Sequence, residues 1–327
     1  MIVDTYHRVH NYLRISLTDN CNLRCFYCMP QEEYAFTPAS QLMQAYEIEA
    51  IAKTFVHLGV NKIRLTGGEP LVRKDAADII ERLGQLPVKL TLTTNATRLH
   101  QFTEVLQKAG ITSINISLDT LHADKFMVMT RRNLFSTVMQ NIEKAIGLGF
   151  HVKVNVVVTK GLNEDELLPF VAWTKLAPVH VRFIEFMPFT GNRWQAQKVV
   201  TWQQMLQLIG AEYDIIPLQR QHHDTAKAYT IPGHMGSFAV ISTMSAPFCA
   251  DCNRMRLTAD GKLKNCLFSN TEIDLLQAFR SGQSLEPLIT QSISQKAQAL
   301  GGQFTAAHLE QVNAAHIENR SMITIGG

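Results

Sequence analysis

The 327-residue sequence predicts an α/β fold: an incomplete (β/α)6 barrel of the TIM type over residues 1–190, closed by a C-terminal region over residues 191–327. Three observations lead there. Strand-like and helix-like patterns alternate along the first half of the chain. Chemically unusual residues recur where the strand patterns end. The alternation then stops after Pro188.

Residues 13–19 (LRISLTD) alternate as a strand and run straight into Cys21. Residues 46–59 place Ile48, Ile51, Ala52, Phe55 and Leu58 at helical spacing ahead of Gly59. A second strand over 62–66 ends in GGEP and is followed by a helix over 75–83. The third strand, 89–94, ends in TTN, with a helix over 102–108 before Gly110. The fourth unit pairs 113–118, which ends in SLD, with a helix near 137–148. The fifth pairs 152–159 with 167–176, and a sixth strand covers 179–186. Right-handed crossovers allow such units to curl into an open or closed barrel or to leave a flat, doubly wound sheet. The strand ends favour curling. A curled sheet would aim the Cys21 loop, GGEP, TTN, SLD, Lys153, Asn155, Glu185 and Met187 at one centre, whereas a flat one would divide them between two crevices. Beyond Pro188, a helix over 201–209, a polar stretch with His222 and His223, and short strands around 238–243 lead to the last cysteines.

The composition is that of an ordinary globular protein. With 46% hydrophobic and 18% charged residues, the chain has ample core for one large or two modest domains. A net charge of +3 without dense Lys/Arg runs argues against a nucleic-acid partner. No apolar run approaches the roughly 18–20 residues of a membrane span. The opening MIVDTYHRVHNYL has neither a secretory nor a transit pattern, which predicts a cytoplasmic, reducing setting.

All six cysteines fall in two widely separated trios: Cys21, Cys25 and Cys28 in CNLRCFYC, and Cys249, Cys252 and Cys266 in CADCNRMRLTADGKLKNC. A three-disulfide scaffold suits small secreted domains and does not suit this chain. Zinc sites in a binding protein would need a fourth ligand, and no His lies within ten residues of Cys28, Cys249 or Cys266. Iron–sulfur chemistry fits better, because three thiolates on a four-iron cubane leave one iron open to another ligand.

The first trio reads C-x3-C-x2-C, with Tyr27 just before its last Cys, and GGEP and TTN follow at later strand ends. In these motifs the chain resembles the radical S-adenosylmethionine (SAM) enzymes. The second trio, C-x2-C-x13-C around NRMRLT, and the closing Gly326-Gly327 sharpen the likeness. With them the chain is similar, nearly end to end, to the GTP 3′,8-cyclase family of molybdenum cofactor biosynthesis. Another radical SAM enzyme with an auxiliary cluster, such as a peptide modifier, is the competing reading; those usually carry more C-terminal cysteines.

The resemblance implies SAM and two [4Fe-4S] clusters as cofactors, one on Cys21, Cys25 and Cys28 and one on Cys249, Cys252 and Cys266. It implies Tyr27, Gly68, Ser117 and Met187 around SAM, and Arg14, Arg64, Thr93, Lys153, Arg254 and Arg256 around GTP. The first cluster would cleave SAM to a 5′-deoxyadenosyl radical that takes the ribose 3′ hydrogen of GTP. Bonding of C3′ to guanine C8 would then give (8S)-3′,8-cyclo-7,8-dihydroguanosine 5′-triphosphate, with guanine held at the second cluster. An external donor of flavodoxin or ferredoxin type and a downstream cyclic pyranopterin monophosphate synthase are implied partners, and a homodimer is compatible with the likeness. No single catalytic acid or base is singled out.

These assignments make physical sense. Gly67 and Gly68 expose backbone for close approach, and arginine forks bind phosphate oxygens bidentately. Arg64 and Lys153 lie within strands, where an anion in a cavity would offset their burial. Gly326 and Gly327 are expected to form a tail that reaches the site. One departure stands out: the family has Gly after TTN where this chain has Ala96, which a positive φ would strain. His222 and His223 are expected to be solvated loop residues, not ligands.

Overall fold

A computed structural model describes residues 1–29, 34–312 and 316–326; Gly327 lies outside the described residues. The first six strands and their helices follow the expected order, with one helix, α4, that was not expected: β1 (Tyr12–Ser16), α1 (Ala45–His57), β2 (Lys62–Thr66), α2 (Ala76–Gly84), β3 (Lys89–Thr94), α3 (Thr103–Lys108), β4 (Ser113–Ser117), α4 (Ala123–Thr130), α5 (Phe135–Gly147), β5 (His151–Val158), α6 (Leu167–Leu176) and β6 (His180–Glu185). Each strand is parallel to the next. Sequential order with right-handed crossovers places every connecting helix on the same face of the sheet.

Strict alternation separates the two faces. Leu13 and Ile15, Ile63 and Leu65, Leu90 and Leu92, Ile114 and Ile116, and Val152, Val154 and Val156 are buried in one hydrophobic core with Ile48, Ile51 and Phe55 of α1, Ile79, Ile80 and Leu83 of α2, and Val138 and Ile142 of α5. The intervening residues point to the other face and are polar or cationic. The helix starts are locally specified: Gln44 and Glu47 form a capping box on α1, and buried Glu47 also receives Arg280 at 2.7 Å.

The segment after Pro188 does more than cap this array. It contributes α7 (Trp202–Gly210), β7 (Ile216–Pro217), β8 (Lys227–Thr230), β9 (Ser237–Ile241), β10 (Arg254–Leu257), β11 (Lys262–Lys264), β12 (Ile273–Asp274), α8 (Leu275–Arg280), α9 (Glu286–Ser294) and α10 (Met322–Ile325). Among the described residues the twelve strands form one sheet, in the order β12-β11-β10-β1-β2-β3-β4-β5-β6-β9-β8-β7. β10 is parallel to β1 and β9 is parallel to β6, so both edges of the first array are extended by later strands. Buried Glu185, at the end of β6, ties this junction together by accepting from the backbone N–H of Trp202 at 2.8 Å, Met244 at 2.7 Å and Ser245 at 2.9 Å.

Candidate active site

The C-terminal ends of β1 to β6 open into one cavity. Its walls include Cys21, Cys25, Cys28 and Tyr27 from the loop after β1, Thr66, Gly67 and Gly68 after β2, and Thr93, Thr94 and Asn95 of β3 and beyond. Ser117 and Asp119, Asn155 and Val157, and Glu185, Phe186 and Met187 complete the ring, with Met322 and Ile323 of α10 over it. The four residues expected around SAM therefore share one cavity with the first trio.

The loop holding that trio is fixed from three sides. Arg24 N donates to Thr130 O at 2.9 Å and Phe26 N to Met129 O at 3.2 Å, so the backbone at the end of α4 braces it. Gly68 N donates to Thr18 O at 2.7 Å, and Glu69 N to Asn20 O at 2.8 Å. A Cβ on Gly67 would lie 2.5 Å from Thr18 O, and one on Gly68 2.6 Å from Asn20 O. The glycines are thus required for the loop-to-loop approach itself. Glu69, fully buried, accepts from Asn95 N at 2.6 Å, Thr94 Oγ1 at 2.7 Å and Leu71 N at 3.0 Å; burial still pushes its carboxyl up to about 7. The Asn95 amide in turn reaches Cys21 Sγ at 3.7 Å. GGEP and TTN therefore form one hydrogen-bonded unit under the first cysteine.

Ala96, just after TTN, is buried with φ +62°, the left-handed conformation in which a Cβ is costly. It is held by Asn141 Nδ2 donating to its carbonyl at 2.7 Å. Tyr27 Oη donates to Asp119 Oδ2 at 2.5 Å, and Val157 N to Asp119 Oδ1 at 2.8 Å, which links the trio loop to SLD and to β5.

Below the cavity the inner face of the sheet is a lattice of cations. Arg14 lies opposite both Arg64 and Arg256, Lys62 opposite Lys89, and Tyr12 opposite both Lys62 and Arg254. Like charges directly opposite one another are destabilising. Burial, then the neighbouring Arg256, depresses Arg14; burial, then Arg182, lowers Lys153 to about 8. Guanidinium groups stay protonated through such shifts, and an anion nearby favours the charged form of each cation. Tyr12 is held down to about 7 although burial opposes it, because Arg64, Arg14 and Lys62 favour its phenolate.

Two side chains join the lattice to the cavity wall. Arg64 Nη1 donates to Thr93 Oγ1 at 3.3 Å, and Arg182 Nη2 donates to Asn155 Oδ1 at 2.5 Å. Arg182 was not singled out in the sequence. The signal was present, since alternation in HVRFIE buries Val181 and Phe183 and so turns Arg182 inward beside Asn155, its register partner. Its Nε is buried without a hydrogen-bond partner among the described residues, and its guanidinium is lowered to about 9 by burial, then by Arg64 and also by Arg254.

The second trio is not part of the cavity wall. Cys249 and Cys266 pack against a small apolar cluster with Phe186, Phe189 and Phe268, which also touches Tyr27 and Met187. Burial raises the thiols of Cys21, to about 11, and of Cys25, Cys28 and Cys249. Cys252 alone is lowered: burial opposes it, but Lys296 and then Arg254 favour the thiolate. No three described His, Cys, Asp or Glu residues converge as ligands of a single metal ion; the thiolates of a cubane bind different irons and need not converge. The donor sets, three thiols each beside polar N–H donors, fit cluster ligation at both trios.

The tail enters the lattice. Gly326 O accepts from Arg256 Nη1 at 2.5 Å, and a Cβ on Gly326 would lie 2.6 Å from Thr66 Oγ1. His222 and His223 bond to each other at 2.9 Å, and His223 Nδ1 meets Asp251 O at 2.6 Å, beside the second trio.

A radical SAM superfamily model matches residues 15–174, and a Molybdenum Cofactor Synthesis C model matches residues 179–301. The chain is 48% identical over 328 residues to "Molybdenum cofactor biosynthesis protein 1" of Bos taurus, covering 99% of this chain but 51% of that protein. It thus spans about half the length of that relative. It is 45% identical to "GTP 3′,8-cyclase, mitochondrial" of Arabidopsis thaliana, covering 100% of this chain and 84% of that one. It is 40% identical to a "GTP 3′,8-cyclase" of Listeria welshimeri, covering 90% and 91%. The solved structure of Streptococcus suis SuiB bound to S-adenosylmethionine shares the fold, with a TM-score of 0.60 over 88% of this chain and 68% of that one at 16% identity. By its relation to these cyclases over 90–100% of its length, the chain belongs to the GTP 3′,8-cyclase family.

Proposed function

We propose that the chain is a GTP 3′,8-cyclase that converts GTP to (8S)-3′,8-cyclo-7,8-dihydroguanosine 5′-triphosphate, the first step of molybdenum cofactor biosynthesis. The observation that carries this reading is a cation lattice, with Arg64 and Arg256 buried and Arg14, Lys62, Lys153, Arg182 and Arg254 half-buried, directly beneath a cysteine-bearing cavity. Five or more inward Arg and Lys side chains with no carboxylate among their register partners call for a polyanion. The architecture is read as a (β/α)6 partial barrel over residues 1–190 closed by residues 191–327. A single cavity at six strand ends and the reach of Arg254's charge to Arg182 support it.

Cys21, Cys25 and Cys28 would hold one [4Fe-4S] cluster beside SAM, and Cys249, Cys252 and Cys266 a second; together with SAM they would supply a 5′-deoxyadenosyl radical and an anchor for guanine. The chain's own groups do the positioning. Tyr27, Gly68, Ser117 and Met187 would surround SAM in the cavity. Arg14, Arg64, Lys153, Arg254 and Arg256, joined by Lys62 and Arg182, would bind the triphosphate, with Thr93 at the boundary. The triphosphate would relieve the repulsion among these cations, so binding and electrostatic relaxation are one event. The tail, Gly326 and Gly327, would cover the substrate from Arg256. The electron donor is proposed to be of flavodoxin or ferredoxin type, with a cyclic pyranopterin monophosphate synthase acting next, in a reducing cytoplasm.

The test is anaerobic incubation of the reconstituted protein with SAM, a strong reductant and each nucleotide in turn. Deoxyadenosine release that requires GTP, with a cyclised triphosphate product, is expected. Release that ignores the nucleotide, or that needs a peptide, overturns the proposal in favour of another radical SAM activity.

A further inference from the structure

Lys296 is a buried ammonium, 3% exposed, with an unusual set of neighbours. Its Nζ donates to Arg254 O at 2.9 Å, lies 3.5 Å from His10 Nδ1 and 3.7 Å from Cys252 Sγ. Among the described residues no carboxylate pairs with it directly, and a buried lysine without an anion is costly. Asp4 stands behind the His10 ring, its Oδ2 receiving Arg8 Nε at 2.6 Å and His10 Nε2 at 3.0 Å.

That arrangement dictates proton positions. A carboxylate can only accept, so His10 Nε2 carries the hydrogen; burial and then Lys296 hold the ring's pKa down to about 4, so the neutral ring presents a lone pair at Nδ1. Nδ1 then accepts from Lys296, which directs the remaining ammonium hydrogens at Arg254 O and Cys252 Sγ. Arg8 closes the same corner by donating to Cys249 O at 2.8 Å, Gln298 O at 2.7 Å and Ala297 O at 3.0 Å. The N-terminal segment, Asp4 to His10, is thereby locked to the loop carrying the second trio and to the chain just after α9.

We infer that Lys296, oriented by the Asp4–His10 pair, donates a charge-assisted N–H···S hydrogen bond to the Cys252 thiolate and raises the reduction potential of the second cluster. This rests on reading the second trio as a cluster site. The reason is electrostatic: reduction adds one electron to the cluster, and a fixed positive charge beside a ligating sulfur stabilises the more negative state. Lys296 is thus a positioning and tuning residue and contacts neither substrate nor SAM.

The experiment uses full-length, anaerobically reconstituted protein, with iron analysis and potentiometric titration of both clusters by electron paramagnetic resonance. Lys296→Met should keep both clusters and leave the first potential unmoved. It should lower the second by about 59 mV or more, equal to a tenfold fall in the reduced-to-oxidised ratio at fixed potential. Lys296→Arg should restore most of it. An exchangeable proton coupled to the second cluster, seen by electron–nuclear double resonance in the unaltered protein, should vanish in Lys296→Met. An unshifted potential with both clusters present overturns the inference. If Lys296→Met loses the cluster, absence of that proton signal in the unaltered protein overturns it instead. If Cys249→Ser, Cys252→Ser and Cys266→Ser together leave iron content unchanged, the cluster reading itself fails, a result distinct from either.

Discussion

Tyr12 Oη accepts a hydrogen bond from Arg64 Nε at 2.5 Å, with the Lys62 ammonium 4.5 Å from the centre of the tyrosine ring. A phenol on β1 is thus made acidic by two cations on β2, at the floor of the cation lattice. Because its folded pKa, about 7, lies below the ordinary 10.0, the folded chain releases this proton earlier than the unfolded one. Stability from this group is full above pH 10 and is lost as pH falls through 7. We expect a phenolate absorbance step near pH 7 in the ligand-free protein that moves upward when a triphosphate neutralises the cations. Tyr12→Phe should abolish the step, and a step that ignores triphosphate would place the anion elsewhere.

Arg182 should matter to nucleotide and not to stability. A hydrogen bond from a charged donor contributes about 1.5–3 kcal/mol, so Arg182→Met should weaken GTP binding on the order of 10- to 100-fold. Removing one of several buried like charges should leave the ligand-free melting temperature unchanged or higher. Calorimetric binding and thermal unfolding of the same sample separate these effects.

Gly326 adopts φ +81° with no space for a side chain beside Ser16 and Thr66. Gly326→Ala should expel the tail, break its bond to Arg256 and lower cyclisation by roughly 10- to 100-fold, as misplacement near reacting groups does. Iron content should stay the same. Faster trimming of the variant's C-terminus by carboxypeptidase checks the displacement directly.

Ala96 is tolerated because opposing terms cancel. Its left-handed backbone costs about 1–2 kcal/mol, while its buried methyl contributes roughly 0.8 kcal/mol. Alanine also limits the unfolded chain by about 0.4–1 kcal/mol relative to glycine. Ala96→Gly should therefore change unfolding free energy by less than about 1 kcal/mol, whereas Ala96→Val should cost about 2 kcal/mol or more. Denaturant titration of both variants tests the balance.

Much of the site was legible in the chain because its parts are local. Cys21, Cys25 and Cys28 lie within one loop, GGEP and TTN each end one strand, and period-two alternation turns Arg14, Arg64 and Lys153 inward wherever the neighbouring residues are apolar. Arg182 obeys the same alternation and was readable in principle.

The pairing of β10 with β1 and of β9 with β6 was not readable, since strand neighbours far apart in sequence are chosen by the fit of whole surfaces. Nor could local pattern reveal that Lys296 would face Cys252 through His10, or that a Gly326 carbonyl would meet Arg256. Residue types and spacing determined which chemistry the chain carries: thiolates in threes, phosphate-seeking cations, glycines for close approach. Which cation faces which sulfur or oxygen was decided by the twelve-stranded sheet and the segments packed on it. Charges interact through space, and only folding brings the two ends of the chain within a few ångströms of each other.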